Sequence, residues 1–116
     1  MPIASAFLPR PDEDHLSVNW LDVLDARDIS DAIVKVRAGF HRRSFRLRQS
    51  GRFAVLNVGR SRESATQIRR KIQFEHRPLP GDHSHAGIVG IREDDLALAT
   101  EIARLVGRGD VHPAIT

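Results

Sequence analysis

Residues 74–91, FEHRPLPGDHSHAGIVGI, constrain the fold of this chain more than any other stretch. Lys71 to His76 reads as a strand. Pro78, Pro80 and Gly81 interrupt it, because proline has no N–H for a ladder and Pro-Gly favours a reversal of direction. A second strand resumes at about Ala86 and runs to Ile91. Two strands joined over so short a break pair antiparallel, so a sheet must be built about them.

The rest of the pattern supplies what such a sheet can pack against. Residues 1–14 read as an irregular lead-in, with Pro9 and Pro11 biasing their predecessors away from helix. Leu16 to Asn19 reads as a short strand with Leu16 and Val18 on one face, and Trp20, Leu21, Val23 and Leu24 as one or two helical turns. Ser30 is the expected N-cap of a helix carrying Ile33, Val36 and Phe40 on its apolar side and Lys35 and Arg37 on its polar side. Phe45 and Leu47 alternate with Arg46 and Arg48, Gln49-Ser50-Gly51-Arg52 supplies turn residues, and Phe53 to Val58 reads as a central strand covered on both faces. A second helix is expected over about Ser61 to Lys71, with Ala65, Ile68 and Ile72 at helical spacing and Ser64 with Gln67 as an inner capping box. A third follows Glu93-Asp94-Asp95, with a stripe of Leu98, Ile102 and Leu105 widened by Leu96, Ala99 and Val106, and Gly107 as its stop. Residues 108–116 form a tail, or a short edge strand around Val111. The expected fold is therefore α+β: one small domain over 1–116, with a mostly antiparallel sheet and about three helices.

Composition narrows the chemistry. Cysteine is absent, which removes disulfides, thiolate zinc ligands and cysteine nucleophiles together. No apolar run approaches the roughly 20 residues that span a bilayer, and the start, MPIASAFLPRPDED, is no signal peptide, so the expectation is a cytoplasmic protein with no membrane partner. The net charge of +3 hides an asymmetry. Residues 1–34 carry two Arg against seven acids, 35–71 twelve Lys or Arg against Glu63 alone, and 72–116 four Arg against seven acids. The middle segment is thus +11 between flanks of −5 and −3. It is almost all arginine, which suits forked contact with phosphate or carboxylate.

Two constellations carry possible chemistry. The first is the basic segment, with Arg42, Arg43, Arg46, Arg48 and Arg52 on or near the expected hairpin and Arg60, Arg62, Arg69, Arg70 and Lys71 on or near the second helix. Its self-repulsion calls for a nucleic-acid backbone, an acidic partner protein, or the chain's own acidic ends folded against it. Its few aromatics, Phe40, Phe45 and Phe53, belong to the core pattern, so backbone contact is expected over base stacking. The second is the histidine loop. His83 and His85 at i, i+2 lie on one face of a strand, within reach of His76. The spacing permits a metal site from His76, His83 and His85 with Asp82 or Glu75, but no thiolate is present to complete a closed one, and no metal or other cofactor is expected. The metal-free use is general acid and base in phosphodiester cleavage, with Arg10 or Arg77 holding the phosphate and Ser17 or Asn19 orienting it.

Three segments, Leu16 to Leu21 (LSVNWL), Phe53 to Gly59 (FAVLNVG) and Pro78 to Ile88 (PLPGDHSHAGI), together span most of the chain. In these the chain is similar to a group of small uncharacterised bacterial proteins. The resemblance implies a whole-domain match and a bacterial origin, and it brings no activity, cofactor or partner.

The leading expectation is a basic binding module for an anionic partner, nucleic acid first, acting through the Arg-rich hairpin and helix. The alternatives are a small metal-independent hydrolase or transferase acting on a nucleotide or nucleic acid, with His83 and His85 central, and an accessory or antitoxin-like subunit docking an acidic protein.

Overall fold

The computed structural model describes residues 4–42, 52–107 and 110–114. The expected strand at Phe45 and Leu47 lies outside these residues, as do the turn positions Gln49, Ser50 and Gly51 and the site residues Arg43, Arg46 and Arg48.

Five antiparallel strands and three α-helices are present among the described residues, as an α+β fold. The chain runs through β1 (His15–Asn19), α1 (Ile29–Arg42), β2 (Arg52–Ala54), α2 (Val58–Gln67), β3 (Gln73–His76), β4 (His85–Val89), α3 (Leu96–Arg104) and β5 (Val111–Pro113). A three-stranded sheet has the order β1-β4-β3, and β2 pairs with β5 in a separate two-stranded sheet. The strand pair about Pro78–Gly81 therefore occupies the centre and one edge of the main sheet, and β1 closes the other edge. No helix is long and apolar enough to cross a membrane.

Alternation along the strands divides the main sheet into two faces. Leu16 and Val18, Phe74 and Ile88 face the main core, with buried Ala86 on the same side of β4, and they meet α3 through Leu98, Ala99, Ile102 and Ala103 and α2 through Ala65. Phe7 joins this core from a 3-10 helix at Ala4–Phe7, so the stretch expected to be an irregular lead-in is in part packed structure. A second, smaller cluster joins Leu24 to Ala32 and Val36 of α1, flanked by Phe40 and Phe53, whose rings stack at 5.7 Å.

Several element boundaries differ from the sequence expectation, each through a cap. Asp28, not Ser30, starts α1: its carboxylate accepts from Asp31 N–H at 2.8 Å, and Ser30 lies inside the first turn. Phe53 to Val58 is not a central strand. Pairing ends at Ala54, and Asn57 caps α2 by accepting from Arg60 N–H at 2.9 Å, which turns Val58 and Gly59 into the helix. The Asn57 cap also replaces the expected Ser64–Gln67 box. Asp95 caps α3 by accepting from Leu98 N–H, so Glu93 and Asp94 precede the helix rather than forming its first turn. Leu96 points to solvent, and the N–H of Gly107 donates to Asp110 in place of a left-handed helix stop.

Candidate functional site

The histidine loop is organised by a buried polar network. Leu79-Pro80-Gly81-Asp82 forms a tight turn with Gly81 at φ 77°, the left-handed position that a Pro-Gly type II turn requires. It delivers Asp82 and Ser84 inward, to 7% and 2% exposure. The Asn19 amide donates to Asp82 at 2.9 Å and to Ser84 at 2.8 Å, and the Ser84 hydroxyl donates to Asp82. A buried carboxylate is tolerated only with such donors, so the network fixes the loop against the end of β1.

That anchoring separates the three expected histidines. Their ring nitrogens meet carbonyls, which only accept, so each bonded nitrogen carries a proton. His76 Nε2 donates to the His83 carbonyl, with its ring edge-on to Trp20 at 5.4 Å. His83 Nε2 donates to the Val23 carbonyl at 3.1 Å. His85 Nδ1 donates to the Arg77 carbonyl at 2.8 Å. β4 begins only at His85, so His83 lies in the turn and the expected shared strand face for His83 and His85 does not form. Among the described residues no group of three or more His, Cys, Asp or Glu side chains is placed to hold a metal ion. Arg10 is exposed, and no contact joins its side chain to these histidines.

The structure brings together a different pair. Register places His15, Ser17 and Asn19 of β1 beside Val89, Gly87 and His85 of β4, on the face of the sheet turned away from the core. Glu75 of β3 lies across Gly87 on the same face. The His15 and His85 rings stand edge-to-face with centroids 6.1 Å apart. Gly87 makes this possible, because a Cβ there would lie 2.8 Å from His15 Cδ2. His15 Nδ1 lies 2.7 Å from the Asp14 carboxylate, which accepts from it when it carries a proton, and 2.9 Å from the Arg77 guanidinium. Neither Nε2 atom has a hydrogen-bond partner among the described residues, so both are left for a ligand. Arg77 also donates to Asp14 at 3.1 Å and to Glu75 at 2.8 Å. Hydrogen bonds from Arg77 and His15 pull the Asp14 carboxyl down to about 2, and those from Arg77 to Asp14 and Glu75 raise the arginine. Sequence reasoning missed His15, although its alternation with Leu16 and Val18 was visible one residue ahead of the expected strand.

The basic constellation forms a second locus. Arg42 closes α1 and Arg52 opens β2, while Arg60, Arg62, Arg69, Arg70 and Lys71 are exposed on α2 and the segment after it. Arg62, Thr66, Arg69, Arg70, Lys71 and Ile72 line an open concavity of about 400 Å³. Helix α2 ends in a Schellman pattern: Arg70 N–H donates to Ala65 O at 2.8 Å and Arg69 N–H to Thr66 O at 3.0 Å. Arg69 therefore sits at φ 60°, where glycine is the usual residue. Arg70 pairs with Asp95 at 2.7 Å, which raises the arginine and lowers the aspartate. Arg60, Arg62, Arg69 and Lys71 have no carboxylate partner among the described residues. The acids Glu13, Asp14, Glu93 and Asp94 instead gather around a separate concavity. No family model, curated protein or solved structure matches this chain.

Proposed function

We infer that the protein binds a nucleic-acid phosphate backbone through the basic concavity at the end of α2. The observation that carries this reading is Arg69. It occupies a left-handed backbone position that costs an L-residue about 1 kcal/mol relative to glycine, beside Arg62 and Lys71, which have no carboxylate partner among the described residues. Structural need alone would favour glycine there, whereas a polyanion site gains from the guanidinium. The acidic flanks supply one partner to this cluster, Asp95 to Arg70, and so leave most of its charge for a ligand. Phosphate contact of this kind is insensitive to sequence.

The test combines stability with binding. Arg69→Gly is expected to raise stability by about 1 kcal/mol while weakening binding of a labelled single-stranded RNA. Joint replacement of Arg62, Arg69 and Lys71 by Ala is expected to flatten the slope of log K against log salt by about 2, at roughly 0.7 per released single-strand phosphate contact. Absence of binding to RNA and to duplex DNA at 50 mM salt would remove the reading, and capture of an acidic protein instead would favour the accessory-subunit alternative.

A further inference from the structure

We propose that the outer face of the main sheet is a catalytic site for RNA strand cleavage, with His15 and His85 as the acid–base pair. The choice of RNA as substrate rests on the nucleic-acid reading above. The two imidazoles come from neighbouring strands, flank the Ser17–Gly87 pair, and stand too far apart to bond one another. Each has its Nδ1 beside an acceptor oxygen, so each offers Nε2, the atom that exchanges a proton with a reacting group. The holders differ. His15 Nδ1 meets the Asp14 carboxylate, with the Arg77 guanidinium 2.9 Å from the same nitrogen, and His85 Nδ1 meets the carbonyl of Arg77. In the proposed reaction His15 acts as the acid and His85 as the base, with Asp14 a positioning residue.

The reaction needs no cofactor. His85 Nε2 takes the proton of a ribose 2′-hydroxyl, the 2′-oxygen bonds to phosphorus, and the bond from phosphorus to the 5′-oxygen breaks. His15 donates its Nε2 proton to that leaving oxygen. The products are a 2′,3′-cyclic phosphate and a free 5′-hydroxyl, with one proton gained by His85 and one lost by His15. The exposed Ser17 hydroxyl, opposite Gly87, is placed to donate to a phosphoryl oxygen. Arg77 spans Asp14 and Glu75, so their negative charge is partly cancelled next to the substrate phosphate. The last residues lining the basic concavity precede the edge strand of this sheet. Lys71 and Ile72 run into β3, and its first residue, Gln73, is in register with Val89, which is in register with His15. Two interstrand spacings separate Gln73 from His15, about 10 Å.

The experiment uses the full chain with a labelled single-stranded RNA, the same strand with 2′-deoxyribose throughout, and a ribodinucleotide too short to occupy the basic concavity. Expected are cleavage of the RNA in the presence of a chelator, ends bearing 2′,3′-cyclic phosphate, and an intact deoxy strand. The dinucleotide should be cut more slowly. His15→Asn and His85→Asn each keep a donor for Asp14 or for the Arg77 carbonyl and lose Nε2. Each should lower cleavage by at least about 100-fold while RNA binding is unchanged. Binding without cleavage overturns the proposal and leaves the binding function standing. Cleavage of the dinucleotide without RNA binding supports this site and removes the binding function. Cleavage unaltered in both variants, or absent with both ribose substrates, overturns the proposal.

Discussion

At the scale of single residues, two positions show how backbone and charge hold the sheet face. Gly90 adopts φ 97°, and a Cβ there would lie 2.2 Å from the Lys71 carbonyl oxygen. Both the dihedral and the contact with a fixed backbone atom exclude a side chain. Gly90→Ala is expected to destabilise by about 2–4 kcal/mol, read as a lowered midpoint in urea. An unchanged midpoint would mean that the β4 end and the Lys71–Ile72 segment are not packed as described. Asp14 gives the pH dependence. Its carboxyl is held at about 2 against an ordinary 3.8 by hydrogen bonds from Arg77 and His15. A depressed acid stabilises the fold above its unfolded value, and that contribution is lost as pH falls through the folded one. Wild type and Asp14→Asn should therefore differ in urea midpoint at pH 5, and the difference should shrink between about pH 4 and pH 2. A constant difference over that window would show that the Asp14 carboxylate is not engaged in solution.

At the scale of elements, the apolar stripes were the most legible feature. The stripe of Leu98, Ile102 and Leu105 predicted α3; Leu98 and Ile102 are fully buried against the sheet, while Leu105 caps the helix end and is half-buried. Ile102→Ala removes most of a side chain from a site at 1% exposure, so a loss of about 2–5 kcal/mol is expected from thermal or chemical unfolding. A melting temperature equal to wild type would show that α3 is not docked. Element ends were less legible, because a cap depends on which nearby polar side chain the backbone can reach. Ser30 and Asp28 are both good caps by type, and only the position of the first turn selects Asp28. The run Phe53 to Val58 misled for a related reason. A six-residue run that is apolar but for Asn57 fits a buried strand or the approach to a helix, and Asn57 decided in favour of the helix.

At the scale of the whole molecule, the chain has a main core and a smaller cluster about α1. Among the described residues the smaller cluster has fewer fully buried members, so local opening should cost less there. Backbone amides of α1 are expected to exchange with deuterium faster than those of β4 under native conditions. Equal protection would show that the two clusters unfold as one unit. The sequence alone determined the α+β class, the strand pair about Pro78–Gly81, the faces of β1 and α3, and the uneven charge, because these follow from local periodicity, turn chemistry and composition. Tertiary structure alone decided which histidines meet. His83 and His85 are two residues apart in the chain, yet the Asp82–Ser84–Asn19 network turns His83 toward Val23. His15 and His85 are 70 positions apart, yet antiparallel register across Gly87 sets their rings side by side. Register is a property of two paired strands, so no inspection of either strand by itself contains it.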